Sequence, residues 1–185
     1  QDGRAVDHRG VHDLPHAGPG GGQESTHHAV GEQQAAAAEV TDEVQRRHRR
    51  TTRLADRVPQ LASIVFHNKL GSQLERTRRI ELIAEFIAAK LGADVAQARE
   101  AAQLAKADLL SGMVGEFPEL QGLMGGYYAE HEGRPATVAR AIRDQYLLRA
   151  SDIGDPANLV SACLYLADRI ELLTGMFGIG NVPTG

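Results

Sequence analysis

Gly112 to Ala129 reads GMVGEFPELQGLMGGYYA, in which glycines, one proline and two adjacent tyrosines are mixed with carboxylates. Neither an amphipathic helix nor a flexible linker requires this mixture, so the stretch must follow a specific backbone path. Pro118 has a fixed φ and no N–H, which suits the first turn of a helix, and Glu119 lies where the helix dipole favours a negative charge. We therefore predict a helix that starts near Pro118.

The glycines of this predicted helix indicate close packing. Inside a helix each glycine costs about 1 kcal/mol relative to alanine, so Gly122, Gly125 and Gly126 suggest that another backbone or a nucleic acid approaches closely. Apolar residues repeat at three- and four-residue spacing and define a buried face made of Leu120, Leu123, Met124 and Tyr127. A tightly packed helix pair is the favoured interpretation, and contact with a ligand or RNA is the alternative.

Two further helices are predicted upstream. The first carries an apolar stripe with Gly71 as its C-terminal cap, and the stripe consists of Leu54, Val58, Leu61, Val65 and Leu70. Ser72 and Glu75 have the spacing of a capping box, which opens a second helix that ends at Gly92. The core-facing residues of this second helix are Ile80, Ile83, Ile87 and Leu91. We expect the pair to form an antiparallel helical hairpin.

The remaining pattern is also helical. Asp94 can cap a helix with a small-residue face, which consists of Val95, Ala98, Ala102, Ala105 and Leu109. Another helix is predicted from Pro135 to Leu148. Asp155 and Pro156 begin a long helix whose stripe is Leu159, Cys163, Leu166, Ile170 and Leu173. Because no convincing strand pattern is present, the predicted fold is an all-α bundle of about six helices.

The first fifty residues differ in composition from the rest. Every phenylalanine and tyrosine lies at Phe66 or later, and the early part contains the runs GPGGG at 18–22 and QQAAAA at 33–38. These runs have no apolar periodicity that could offset the entropy of ordering the chain. We therefore expect residues 1–50 to form a disordered tail and residues 51–185 to form the helical domain.

Charge and cysteine content limit the functional classes. The formal net charge is −4, and residues 51–185 contain 14 Lys and Arg against 16 Asp and Glu, so nucleic-acid binding would need a local basic patch. Cys163 is the single cysteine, which excludes a disulfide within one chain and favours a buried structural thiol. No apolar run approaches the roughly 20 residues of a membrane span, and the start lacks the hydrophobic region of a signal peptide, so a cytoplasmic protein is expected.

Four blocks between Thr52 and Gly185 carry a resemblance to a known family. They read LADRV (54–58) with IVF (64–66) and LGS (70–72), AKADLL (105–110) running into the glycine-rich stretch, AIRDQYLLR (141–149), and ADRI (167–170) with FGIGNVPTG (177–185). Their joint order resembles the β subunit of the bacterial two-subunit glycyl-tRNA synthetase, with high specificity. Three positions depart from the family pattern, in which arginine, histidine and proline are usual at Gly126, Gln145 and Leu148.

The resemblance implies a function in tRNA charging. The family's β subunit is a longer, multi-domain tRNA-binding protein, and this chain corresponds to its HD-like helical middle part, so we expect a fragment truncated at its C-terminal end. The implied partners are the synthetase α subunit and tRNA(Gly). The resemblance places ATP and Mg²⁺ at the α subunit, and the chain has no phosphate-cradling Gly-x-x-x-x-Gly-Lys loop. The chain alone is expected to bind no cofactor and to be inactive.

The family pattern also suggests an origin for part of the tail. Residues 44–50 read VQRRHRR and can be encoded by GTT-CAA-CGC-CGA-CAC-CGA-C. Displaced by one nucleotide, these codons read Phe-Asn-Ala-Asp-Thr-Asp, which resembles the family's segment just ahead of the Leu-Ala-Asp-Arg block. We hypothesise an out-of-frame translation, with an unrelated natural extension as the alternative.

An HD-type metal-dependent phosphohydrolase is the rival enzyme class. Such domains bind metal through a histidine, an adjacent His-Asp pair and a later aspartate, because imidazole and carboxylate together hold ions that activate water. Asp168 fits the later aspartate, but the only His-Asp pair is His12-Asp13 in the tail. We therefore expect no catalytic or metal-binding residue, and we expect Asp108 and Asp168 to pair with cations such as Lys106 and Arg169 or to cap backbone groups.

The candidate tRNA contacts are basic residues of the helical part. A phosphate contact positions RNA without reading its sequence. The candidates are Lys69, Arg76, Arg78, Arg79, Lys106 and Arg149. For the cluster near Glu75 a solvated face is the favoured interpretation over an RNA site. A stand-alone helical interaction module is the second rival function.

Overall fold

The computed structural model describes residues 53–181. The described residues lie within one unit, Arg50–Gly185. The disorder and out-of-frame origin predicted for residues 1–50 therefore lie outside the described residues.

The all-α fold is confirmed, with seven α-helices in the described range where about six were predicted. They are α1 (Leu54–Arg57), α2 (Gln73–Leu91), α3 (Val95–Leu104), α4 (Gly112–Glu116), α5 (Leu123–His131), α6 (Ala136–Asp144) and α7 (Leu159–Gly178). Short 3-10 segments occupy Val58–Ser63, Ala107–Leu110, Pro118–Leu120, Ala150–Asp152 and Pro156–Asn158. Helix α2 packs against both α3 and α7, and α6 packs against α5 and α7.

The first predicted helix, from Leu54 to Leu70, is wrong. Helix α1 ends at Arg57 and tightens into a 3-10 segment that contains Pro59, which has no N–H for an α-helical bond. The chain then extends into a two-stranded antiparallel ribbon of β1 (Val65–His67) and β2 (Gly71–Ser72). Gly71 has a φ of 87° and belongs to this ribbon, not to a helix cap.

The caps of the next two helices are confirmed. The Ser72 hydroxyl accepts a hydrogen bond from Glu75 N, and Glu75 Oε2 accepts from Ser72 N at 2.7 Å, which completes the capping box of α2. Gly92 ends α2 in the left-handed conformation. Asp94 Oδ1 accepts from Gln97 N at 2.9 Å and caps α3. The predicted small-residue face of α3 is buried at Ala98, Ala102 and the following Ala105, but its first member, Val95, is 39% exposed.

The glycine-rich stretch folds differently from the prediction. Pro118 begins a 3-10 turn, and α5 starts only at Leu123, after Gly122 with a φ of 83°. Of the predicted buried face only Met124 is fully buried. The packing interpretation is nevertheless supported, because a Cβ on Gly125 would lie 2.8 Å from Ile142 Cγ2 of α6. The glycine therefore permits the close approach of α5 and α6.

The last two predicted helices are partly correct. Helix α6 ends at Asp144 instead of Leu148, and the predicted stripe of α7 is wrong in its second half, where Ile170 and Leu173 are 41% and 54% exposed. Asp168 and Glu171 lie inside instead, with 5% and 3% of their surface exposed. These carboxylates are buried because the core contains cations that pair with them.

Candidate functional site

A buried ion cluster connects α2, α7 and the segment that follows α3. We define the ion cluster as Arg76, Lys106, Asp168 and Glu171. Arg76 Nη2 lies 3.0 Å from Asp168 Oδ1, and Arg76 Nε lies 2.8 Å from Glu171 Oε2. Lys106 Nζ lies 2.9 Å from the same Asp168 Oδ1. The ion cluster contains two positive and two negative charges and is therefore neutral.

Lys106 is the most enclosed member of the ion cluster, with 1% of its surface exposed. Besides Asp168, its Nζ donates to Gln145 Oε1 at 2.8 Å and to the Tyr146 hydroxyl at 2.6 Å. Gln145 Nε2 donates in turn to the carbonyls of Ala105 and Ile142, at 2.9 and 2.8 Å. All three protons of the ammonium group therefore have acceptors, and the segment after α6 is fixed to the core.

Burial and pairing act in opposite directions on the ionisation of this cluster. Burial of Lys106 disfavours its charged form and lowers its pKa. Burial alone would raise the pKa of Asp168, but the attraction of Lys106 and Arg76 is together larger and lowers it. Asp168 is therefore held as a carboxylate by the cations around it.

Asp108 is a second buried carboxylate with a different role. Its Oδ2 accepts from Gly122 N at 2.6 Å and from Gly125 N at 3.1 Å, so the carboxylate caps the start of α5. Its Oδ1 is buried and has no hydrogen-bond partner. Burial raises the pKa of Asp108. Both aspartates thus take the structural roles expected of them, one in an ion pair and one as a cap.

The six candidate tRNA contacts fall into three groups by exposure. Lys69, Arg78 and Arg149 are exposed. Arg79 is half-buried and binds Glu171 Oε1 at 2.8 Å. The solvated face favoured for the cluster near Glu75 is wrong for Arg76, which is buried and pairs with Asp168. Lys106 is also buried and pairs with Asp168, as expected, so neither side chain is on the surface.

Position 126 is also not available for RNA. A Cβ on Gly126 would lie 3.0 Å from the carbonyl oxygen of Ala139 and 3.0 Å from Arg143 Cβ. The position faces α6, so the absence of an arginine there removes no phosphate contact from the surface.

A groove that the sequence did not predict lies between the 54–63 segment, α2 and α3. Its volume is about 390 Å³. Its lining is Ala55, Val58, Pro59, Leu74, Thr77, Arg78, Glu81, Gln103 and Leu104. No sequence pattern indicated it, because its residues come from three separate elements.

The described residues lack the features of two other classes of protein, metal-binding and membrane-spanning. Between residues 53 and 181 there is no group of three or more His, Cys, Asp or Glu side chains that could hold a metal ion. No helix in that range is both long and apolar enough to cross a membrane.

Comparison with known proteins supports one family. The model of the glycyl-tRNA synthetase beta subunit family matches residues 47–185. The chain is 58% identical over 132 residues to the glycine--tRNA ligase beta subunit of Janthinobacterium sp. (strain Marseille), covering 71% of this chain and 19% of that protein. It is 54% identical over 138 residues to the corresponding subunit of Ralstonia nicotianae, covering 75% of this chain and 20% of that protein. The chain spans about a fifth of the length of these relatives, and it belongs to the glycyl-tRNA synthetase beta subunit family.

Proposed function

We propose that this chain is a non-catalytic helical part of a glycine–tRNA ligase β subunit. It would support ATP-dependent attachment of glycine to tRNA(Gly) by positioning the tRNA and by maintaining the architecture of the subunits. The observation that carries the proposal is the family match over residues 47–185, together with the names of relatives that are 58% and 54% identical. The whole enzyme would act in the cytoplasm with an α subunit that binds ATP and Mg²⁺.

The internal chemistry of the chain supports a scaffolding role. The ion cluster neutralises its own charges, and Asp108 is committed to two backbone N–H groups. A catalytic acid or base needs access to a substrate proton, and these groups are enclosed by the core. The buried polar groups therefore align helices and do not offer a reactive surface.

The proposed tRNA contact uses the exposed cations Lys69, Arg78 and Arg149. Lys69 lies in the turn of the β1–β2 ribbon, just before α2, and Arg78 lies in the second turn of α2. Arg149 follows Gln145 and Tyr146, which Lys106 fixes to the core. Since the domain has slightly more acidic than basic residues, such contacts must be local and few.

The salt dependence of tRNA binding tests this proposal. Each of Lys69→Ala, Arg78→Ala and Arg149→Ala should weaken binding and reduce the slope of log affinity against log salt by about 0.7–0.9, the value expected for one lost phosphate contact. Arg53→Ala is the matched control, because Arg53 is exposed but paired with Asp56 and does not line the groove. Slopes equal to that of the control in all three variants would reject the contact surface.

A catalytic assay tests the non-catalytic part of the proposal. The chain supplied with glycine, ATP, Mg²⁺ and tRNA(Gly) should form no glycyl-tRNA. Formation of glycyl-tRNA without an α subunit would contradict the assignment of the chemistry to that subunit.

A further inference from the structure

The groove between the 54–63 segment, α2 and α3 has a mixed lining, and we define its floor as the apolar lining residues and its rim as the polar ones, Thr77, Glu81 and Gln103. Val58, Pro59, Leu74 and Leu104 supply apolar surface, and Leu104 is almost fully buried. Arg78 also lines the groove and is exposed to solvent. A volume of about 390 Å³ lies within the range of small-molecule sites, roughly 300–1,000 Å³.

The polar rim has unused capacity to accept hydrogen bonds. Glu81 Oε1 accepts from Gln103 Nε2 at 2.7 Å and lies 3.5 Å from Arg99 Nε. Among the described residues, no hydrogen bond reaches Glu81 Oε2 or Gln103 Oε1. Thr77 Oγ1 is buried and has no partner. The rim therefore offers one carboxylate oxygen and one amide oxygen, with a hydroxyl beside them, to a ligand that donates hydrogen bonds.

The geometry points to a binding site for an unpaired guanine nucleotide of RNA. The N1–H and 2-amino groups of guanine form a donor edge that matches two neighbouring acceptor oxygens. The apolar floor can pack against the face of the base, and Arg78 at the lining supplies the positive charge for its phosphate. This inference rests on the proposed function, because it makes the groove part of the tRNA contact.

An apolar protein segment fits the groove less well. Such a segment would cover the floor but would leave Glu81 Oε2 against an apolar partner, and Gln103 and Arg99 compensate only for Oε1. The acceptor oxygens and the exposed guanidinium group thus favour a ligand with donors at one end and an anion at the other. A guanine nucleotide has both.

Guanosine and inosine monophosphates provide the test, because inosine lacks only the 2-amino group. Binding to the full chain is measured by titration calorimetry, with amide shifts of Thr77 and Leu104 as the positional readout. We expect guanosine monophosphate to bind about tenfold more tightly than inosine monophosphate, the effect of one hydrogen bond to a charged group. Equal binding of the two, or no binding of either at millimolar concentration, would overturn the inference.

Matched substitutions locate the site. Glu81→Gln should weaken guanosine monophosphate binding about tenfold, because the acceptor becomes neutral. Glu85→Gln is the control: Glu85 also pairs with Arg99 and has similar side-chain exposure, but it does not line the groove. Thr77→Val, which removes the unpartnered hydroxyl, is a second variant that should also weaken binding if Glu81→Gln fails to fold. Equal effects of Glu81→Gln and Glu85→Gln would count against the groove.

The outcomes separate this inference from the proposed function. The chain could bind tRNA with the expected salt dependence but show no response to guanosine monophosphate or to Glu81→Gln. That result would reject the groove as a nucleotide site and leave the proposed function intact. Guanosine monophosphate binding with the expected response to Glu81→Gln, in a chain that binds no tRNA, would keep the nucleotide site and remove the proposed function.

Discussion

The same Asp→Asn substitution is predicted to have opposite consequences at two buried positions. Asp168 lies within ion-pair distance of three cations: Lys106 at 2.9 Å, Arg76 at 3.0 Å and the partly exposed Arg169 at 3.8 Å. After Asp168→Asn, Glu171 is the only carboxylate left in the ion cluster, so one buried positive charge is uncompensated. Removal of one partner from a buried ion pair costs about 3–5 kcal/mol. This is a large fraction of the roughly 5–15 kcal/mol by which a domain is stable.

Asp108→Asn is the matched comparison. An amide oxygen can still accept from Gly122 N and Gly125 N, and the substitution removes a buried charge that has no cation within ion-pair distance. The amide group also places an unpartnered N–H where Oδ1 lies, and this cost offsets part of the gain. We therefore expect the free energy of unfolding to change by less than about 1 kcal/mol.

Urea unfolding of the full chain, followed by the helical circular dichroism signal, measures both effects. Asp168→Asn should move the midpoint to much lower urea at neutral pH with an unchanged slope, and Asp108→Asn should leave the midpoint nearly unchanged. Equal destabilisation by the two substitutions would refute the argument. It would mean that the ion pairs of Asp168 contribute no more to the free energy of unfolding than the helix cap formed by Asp108.

The pH dependence gives an independent check of the same pair. The folded-state pKa of Asp168 is lowered, so its contribution to stability is present above the unfolded value of about 3.9 and is lost as the pH falls through the folded value. The difference between wild type and Asp168→Asn should therefore shrink as the pH is lowered from about 5 to about 2. The folded-state pKa of Asp108 is raised, so its ionisation opposes folding near neutral pH and this cost disappears on acidification.

Three further predictions follow from local packing. Gly125→Ala should destabilise the fold by about 1–3 kcal/mol in urea unfolding, because the new Cβ would lie 2.8 Å from Ile142 Cγ2. Gly115→Ala is the control and should be neutral or stabilising, because a Cβ there would have no other atom within 4 Å. Ser72→Ala should cost about 1 kcal/mol in the same assay, because it removes half of the capping box. Cys163 is buried and burial raises its pKa, so a thiol reagent should modify it slowly in the native chain and rapidly in urea; rapid native labelling would contradict this placement.

Local rules correctly predicted three helix ends, the two ends of α2 and the start of α3, because such a cap involves residues only three or four positions apart. The Ser72–Glu75 box, the left-handed Gly92 and the Asp94 cap all follow from such spacing. The cap of α5 did not follow, because its carboxylate, Asp108, lies 14 positions before Gly122. A cap supplied from outside the helix leaves no signature at the helix itself.

The ion cluster could not be predicted from periodicity. Arg76 and Glu171 are separated by 95 positions, so no local spacing links them. One signal was present: Asp168 and Glu171 are three residues apart and share a helix face with the buried Leu164. Charged residues that continue the apolar face of a helix indicate that an oppositely charged partner is buried against them. If the face with Leu164, Asp168 and Glu171 is the buried one, Ile170 and Leu173 lie on the opposite, exposed face of α7.

The ion cluster determines how the exposed cations are arranged relative to one another. Arg76 joins α2, which carries Arg78, to α7, and Lys106 joins α7 to the segment that leads to Arg149. A buried ion pair contributes little net stability but fixes which groups must face each other. In a domain without excess positive charge, affinity for RNA depends on the spacing of a few cations. The neutral core would therefore set the spacing of the exposed cations in the proposed tRNA contact.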